Sequence, residues 1–74
     1  MPPIFGDLKK YCENTGWSMV RNTDHWYYEK LLQSGVLLRT RVSHSTSQEI
    51  PGHLWQKIKS KQICVSEKEF WDNV

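Results

Sequence analysis

Two clusters of turn-forming residues, Asn22-Thr23-Asp24 and Gln33-Ser34-Gly35, divide residues 17–43 into three short runs whose side chains alternate with the period of a strand. Trp17 to Arg21 places Trp17, Met19 and Arg21 on one face and Ser18 and Val20 on the other. His25 to Leu31 sets His25, Tyr27 and Glu29 against Trp26, Tyr28 and Lys30. Val36 to Ser43 sets Val36, Leu38, Thr40 and Val42 against Leu37, Arg39, Arg41 and Ser43. The first of these sets is the better core face, which turns both arginines toward solvent or a ligand.

Helical patterns flank this region. Ile4, Leu8, Tyr11 and Cys12 recur at helical spacing, with Lys9, Lys10 and Glu13 opposite. Pro3 fits a first-turn position, Gly6 weakens that turn, and Asn14-Thr15-Gly16 ends the helix with Gly16 suited to a left-handed cap. After a polar loop from Ser43 to Gln48, Pro51 suits a first helical position, and Leu54, Trp55, Ile58 and Gln62 follow at helical spacing. Ile63-Cys64-Val65 reads as a short apolar link, extended in its simplest form. Ser66 offers an N-cap with Glu69 three residues on as a capping box, and Phe70 and Trp71 would dock a short terminal helix on the core. The order α-β-β-β-α, with a small extra helix, implies an α+β fold. One three-stranded antiparallel sheet with helices on one face buries the apolar set most simply and leaves the other face open to a ligand.

Seventy-four residues allow one domain, residues 1–74, and a thin core. A core of this size supplies no more than about 3–5 kcal/mol of net stability, which four Trp, three Tyr and two Phe partly offset by their large buried areas. The net charge of +2 is a weak argument for a nucleic-acid partner, but its distribution says more. Arg39 and Arg41 share a strand, Lys57, Lys59 and Lys61 share a helix with Lys57 and Lys61 four apart on one face, and Glu67, Glu69 and Asp72 gather elsewhere. A protein that meets RNA phosphates through one face has this pattern, and so does a solvated helix face. Cys12 and Cys64 form no CxxC motif and lie in apolar patterns, as buried reduced thiols do; the three His and two Cys do not fall at zinc spacings. No metal, cofactor or membrane span is expected, and a cytoplasmic location is the default.

His25 carries the chemistry of this pattern. It stands at the mouth of a strand just after a turn, and a free imidazole with pKa about 6.5 is the side chain best matched to proton transfer near neutrality. Arg39 and Arg41 are candidates for phosphate contact, because guanidinium forks match phosphate oxygens. Lys57 and Lys61 would extend a track along an RNA backbone. Tyr27 shares the His25 face and can stack on a base or hydrogen-bond a phosphate. Asp24 beside His25 can orient the imidazole or repel a phosphate. His44 opens the polar loop and either bonds backbone there or joins the site. His53, in a first helical turn, reads as a surface residue.

Several motifs follow one another in a distinctive order. These are Gly16-Trp17 with Val20-Arg21, Asp24-His25 with Tyr28, Val42-Ser43-His44, Glu49-Ile50 with Gly52 and Leu54, and Ile63 through Phe70. Their order and spacing resemble the HicA family of toxins from toxin–antitoxin pairs, from Leu8 to about Phe70. Thr23-Asp24 stand where that family has Gly-Ser, and Val42 stands where it has a proline. The resemblance implies a double-stranded-RNA-binding-domain-like fold and an mRNA interferase with His25 as general base or acid. It also implies a cognate HicB-like antitoxin protein that covers His25. Cleavage by this chain would be metal-independent, and no DNA partner is expected. The alternative on the same fold is a non-catalytic RNA-binding or protein-interaction module.

Overall fold

In the computed structural model, which describes residues 2–74, the chain forms α1 (Phe5–Asn14), β1 (Ser18–Asn22), β2 (His25–Leu31) and β3 (Leu37–Ser43). It continues through α2 (Gly52–Lys57), a π turn (Ile58–Gln62) and α3 (Glu67–Asp72). The architecture is α+β, with a three-stranded antiparallel sheet in the order β1-β2-β3. β2 and β3 pair without interruption from His25↔Ser43 to Leu31↔Leu37. Paired residues share a face, so Trp26, Tyr28 and Lys30 stand beside Val42, Thr40 and Leu38, while His25, Tyr27 and Glu29 stand beside Ser43, Arg41 and Arg39. Leu38, Thr40 and Val42 are buried and Leu37, Arg39 and Arg41 are exposed, so α1 and the π turn, which pack on β3, cover the first face and leave the second open. The β2–β3 turn closes through Gly35 N–H to the Leu32 carbonyl at 2.9 Å, with Gly35 at φ +91°, a conformation that glycine enters freely.

β1 departs from simple alternation. Met19 pairs with Tyr28 and Arg21 with Tyr27, so Val20 is the extra residue of a β-bulge. Trp17, Met19 and Arg21 therefore do not share a face: the bulge moves Arg21 to the open face beside Tyr27. One inserted residue reverses the side of everything after it, and a strict period of two cannot show that.

The helical layer corrects four further expectations. Phe5 rather than Ile4 begins the buried stripe of α1, which continues through Leu8, Tyr11 and Cys12; Ile4 is the exposed N-cap residue. Pro3 lies before the helix and not in its first turn, and its carbonyl accepts the Ile50 N–H at 2.9 Å. The loop after β3 satisfies the first amides of α1, with Phe5 N–H donating to Gln48 at 3.0 Å and Gly6 N–H to Thr46 at 2.8 Å. A Cβ at Gly6 would sit 3.1 Å from the Thr46 carbonyl oxygen, a tight contact that a side chain could take only if the loop gave way by a few tenths of an ångström. Residues 63–65 are not extended: Cys64 is at φ +55° and Val65 N–H returns to the Lys59 carbonyl at 3.1 Å. Cys64 is consequently exposed, whereas Cys12 is fully buried and burial pushes its thiol up to about 12.

The π turn closes with Ile63 N–H on the Ile58 carbonyl at 2.9 Å, and the wider turn brings both isoleucines, five apart, into the core. Ser66 caps α3 by accepting the Glu69 N–H at 3.1 Å. Of the two aromatics on that helix only Phe70 enters the core, fully buried between Tyr11 at 5.1 Å and Trp55 at 4.7 Å, while Trp71 stays exposed. Among the described residues no helix is long and apolar enough to cross a membrane.

Candidate functional site

The β1–β2 turn builds its site from neighbouring residues. Asp24 is exposed, and its carboxylate accepts from Thr23 Oγ1 at 3.0 Å, from Tyr27 Oη at 3.0 Å and from the His25 ring at Nδ1, 3.1 Å away. Tyr27 shares a face with His25, two residues before it on the strand, and Asp24, three residues before it, meets its hydroxyl from the turn that precedes the strand. The Tyr27 hydroxyl above all, then Thr23 and His25, hold the Asp24 carboxyl down at about 2. An ionised carboxylate only accepts, so Nδ1 must carry the proton of this hydrogen bond. In the neutral ring Nε2 is then the free acceptor, which is the state a general base requires.

The open face around this clamp is basic and aromatic. The Arg21 guanidinium lies over the Tyr27 ring at 5.5 Å, an arrangement that the β-bulge makes possible. Arg39 pairs with Glu29 at 3.1 Å, a surface contact that leaves the arginine largely exposed and is worth little to stability. Arg41 is exposed beside Tyr27. Tyr27, Arg39 and Arg41 line one shallow groove with Gln62, and Val20, Arg21, Tyr27 and Arg39 line another. Where β2 begins, a smaller cleft of about 130 Å³ is lined by Phe5, His25, Arg41, Leu54, Ile58 and Gln62.

The chain matches no protein-family model, no curated protein and no solved structure.

Of the residues singled out in the sequence, His25, Asp24, Tyr27, Arg39 and Arg41 come together on one face. His44 does not join them. Its Nε2 is 3.1 Å from Asn22 Oδ1 and its ring packs edge-on against Trp26 at 4.5 Å, on the side of the sheet opposite His25. The strand pairing explains this, since Ser43 is the residue opposite His25 and the next side chain falls on the other face. Lys57 and Lys61 are exposed on α2 and the π turn and line neither groove nor cleft; Leu54, Ile58 and Gln62 are the residues of that segment that do. Lys59 is engaged elsewhere, 3.2 Å from Glu67 and over the Trp55 ring. Arg21 and Gln62 also line the site without standing out in the sequence, because a bulge has no mark there and Gln62 falls at one position of a helical stripe. Among the described residues no group of three or more His, Cys, Asp and Glu side chains is placed to hold a metal ion.

Proposed function

We propose that this chain is an mRNA interferase of the HicA type, acting in the cytoplasm on a double-stranded-RNA-binding-domain-like fold and silenced by a cognate antitoxin. The observation that carries the reading is the Asp24–His25 clamp at the lip of a cleft that also holds Arg41. In the proposed reaction a ribose 2′-hydroxyl attacks the adjacent phosphorus. Its proton passes to His25 Nε2 as the new P–O2′ bond forms, and the P–O5′ bond breaks with the 5′-oxygen taking a proton from solvent. Arg41 and Arg39 meet the phosphate oxygens, where charge accumulates in the transition state. Arg21 and Tyr27 continue the surface along the strand, and Tyr27 with Thr23 holds Asp24 in place. An acidic antitoxin face would block this small basic surface by charge complementarity.

The exposed negative charge of Asp24 favours one second reading, a non-catalytic RNA-binding module, because it repels a phosphate approaching His25. Induced expression of the chain and of His25→Ala in a bacterial host, at matched levels of soluble protein, separates the two. Growth arrest by the original chain alone, with purified protein cutting RNA at a rate that His25→Ala lowers by about 10²–10⁴, is the expected result. Normal growth with both, and RNA binding that survives His25→Ala without cleavage, would establish the binding module.

A further inference from the structure

We propose that Arg21, held over Tyr27, is a second phosphate subsite, so that a single RNA strand crosses the sheet from β3 to β1 instead of running along the strands; this rests on the RNA reading above. Arg21 pairs with Tyr27 and Tyr27 with Arg41, so the three side chains form one row across the open face. Two strand spacings set the backbones of Arg21 and Arg41 about 10 Å apart. Arginine side chains are long enough to lean together over that span, and the phosphates on either side of one nucleoside can each meet a guanidinium. A groove lies on each side of Tyr27, one lined by Val20 and Arg21, the other by Arg41 and Gln62.

The charges of the face choose the direction. Asp24 bonds the Tyr27 hydroxyl from the turn side of the row, and Glu29 stands one row further along β2. A polyanion that followed the strands would have to pass one of these carboxylates, whereas the row between them has an arginine at each end. Beyond Glu29 the face ends in the cross-strand pair Leu31 and Leu37, 69% and 43% exposed, whose side chains offer a phosphate no donor. Arg39 is held by Glu29 at 3.1 Å, while among the described residues no carboxylate pairs with Arg21 or Arg41. The Tyr27 ring lies under the Arg21 guanidinium at 5.5 Å, a contact that orients the guanidinium and leaves its N–H donors free. Arg41, which also lines the cleft with His25, meets the phosphate under attack, and Arg21 takes the phosphate next to it.

The test uses the full chain and 2′-O-methyl trinucleotides, which attack by a 2′-hydroxyl cannot cut, with binding followed by NMR titration at low salt. One trinucleotide carries both phosphates; in two others a neutral methylphosphonate replaces one phosphate or the other. A longer single strand of the same chemistry is titrated alongside. Loss of either phosphate should weaken binding by about threefold to tenfold in the original chain. In Arg21→Gln the same loss should cost almost nothing, because Arg41 still takes the one phosphate that remains. Arg21 is exposed, so this substitution leaves the core alone. Arg39→Gln should keep the full cost. A cost that Arg21→Gln leaves intact, or one that Arg39→Gln abolishes and Arg21→Gln does not, would send the strand along β3 and overturn the subsite. No cost in the original chain, with the longer strand still bound, would overturn the subsite and leave the RNA reading standing. No binding of the longer strand at low salt would remove both and leave the row to an acidic protein partner.

Discussion

Asp24 on the open sheet face and Glu67 on α3 each collect three side-chain donors, yet the two carboxylates differ in where their partners come from. Asp24 gathers Thr23, His25 and Tyr27, all within one turn and the strand it opens. Glu67 gathers Trp55 Nε1 at 2.8 Å, Lys59 Nζ at 3.2 Å and Trp71 Nε1 at 3.2 Å, which belong to α2, the π turn and α3. Both carboxyls are held below their ordinary range, Asp24 chiefly by the Tyr27 hydroxyl and Glu67 chiefly by the Trp55 indole. Asp24 lies beside an imidazole that lines a cleft, so its hydrogen bonds set the orientation and tautomer of the proposed general base. Glu67 lies beside the core, so its hydrogen bonds join helices. A locally built cluster can tolerate variation in the rest of the fold, while one assembled from distant segments depends on all of them.

This contrast breaks most visibly at Trp55. The side chain is buried against Phe70 and donates to Glu67, so Trp55→Ala should cost about 3–5 kcal/mol and leave a chain of this size largely unfolded, as urea titration would show. A stable Trp55→Ala protein would mean that α3 does not depend on this cluster. Next in size is the effect of Asp24→Asn on cleavage. The amide can offer Nδ1 a donor and so favour the wrong tautomer, and the rate should fall by at least about tenfold while RNA binding is retained or tightened. An unchanged rate would remove Asp24 from its positioning role. Stability should separate the carboxylates in the opposite direction. Glu67→Ala is expected to cost about 1–2 kcal/mol in thermal or urea unfolding, and Asp24→Ala to leave the unfolding midpoint where it is. Equal losses would erase the distinction between them.

The smallest effect is the titration of Asp24 itself. Its folded pKa is depressed, so whatever stability it contributes is complete above the unfolded value near about 3.9 and is lost as pH falls through about 2. Carbon-13 NMR of the carboxyl should place its midpoint near 2, and Tyr27→Phe, which removes the largest cause, should raise it toward the ordinary value. A midpoint that does not move in Tyr27→Phe would show that the Tyr27 hydroxyl does not hold the carboxylate.

Local chemistry accounts for what could be read along the chain. The turn residues marked both hairpins, alternation separated the two faces of β2 and named the open face of β3, and Ser66 announced the cap of α3. The adjacency of Asp24 and His25 was visible because a turn and the strand after it keep neighbours together. Four features were not legible, and each depends on residues far apart in the chain or on a shift of phase. The bulge at Val20 brings Arg21 to Tyr27. The Thr46 carbonyl comes close to Gly6. The left-handed turn at Cys64 exposes a thiol that its apolar neighbours seemed to bury. His44 falls on the Trp26 side because Ser43 takes the place opposite His25.

By itself, then, the sequence determined the element order, the three-stranded sheet, the basic face of β3 and the pairing of Asp24 with His25, because period and turn chemistry act over a few residues. Only the tertiary structure decided that Gln62 from the π turn meets His25 and Arg41 in one cleft, and that its amide bonds Thr40 of the edge strand. That meeting depends on how a widened helical turn packs on the edge strand of the sheet, and no spacing within either segment encodes it.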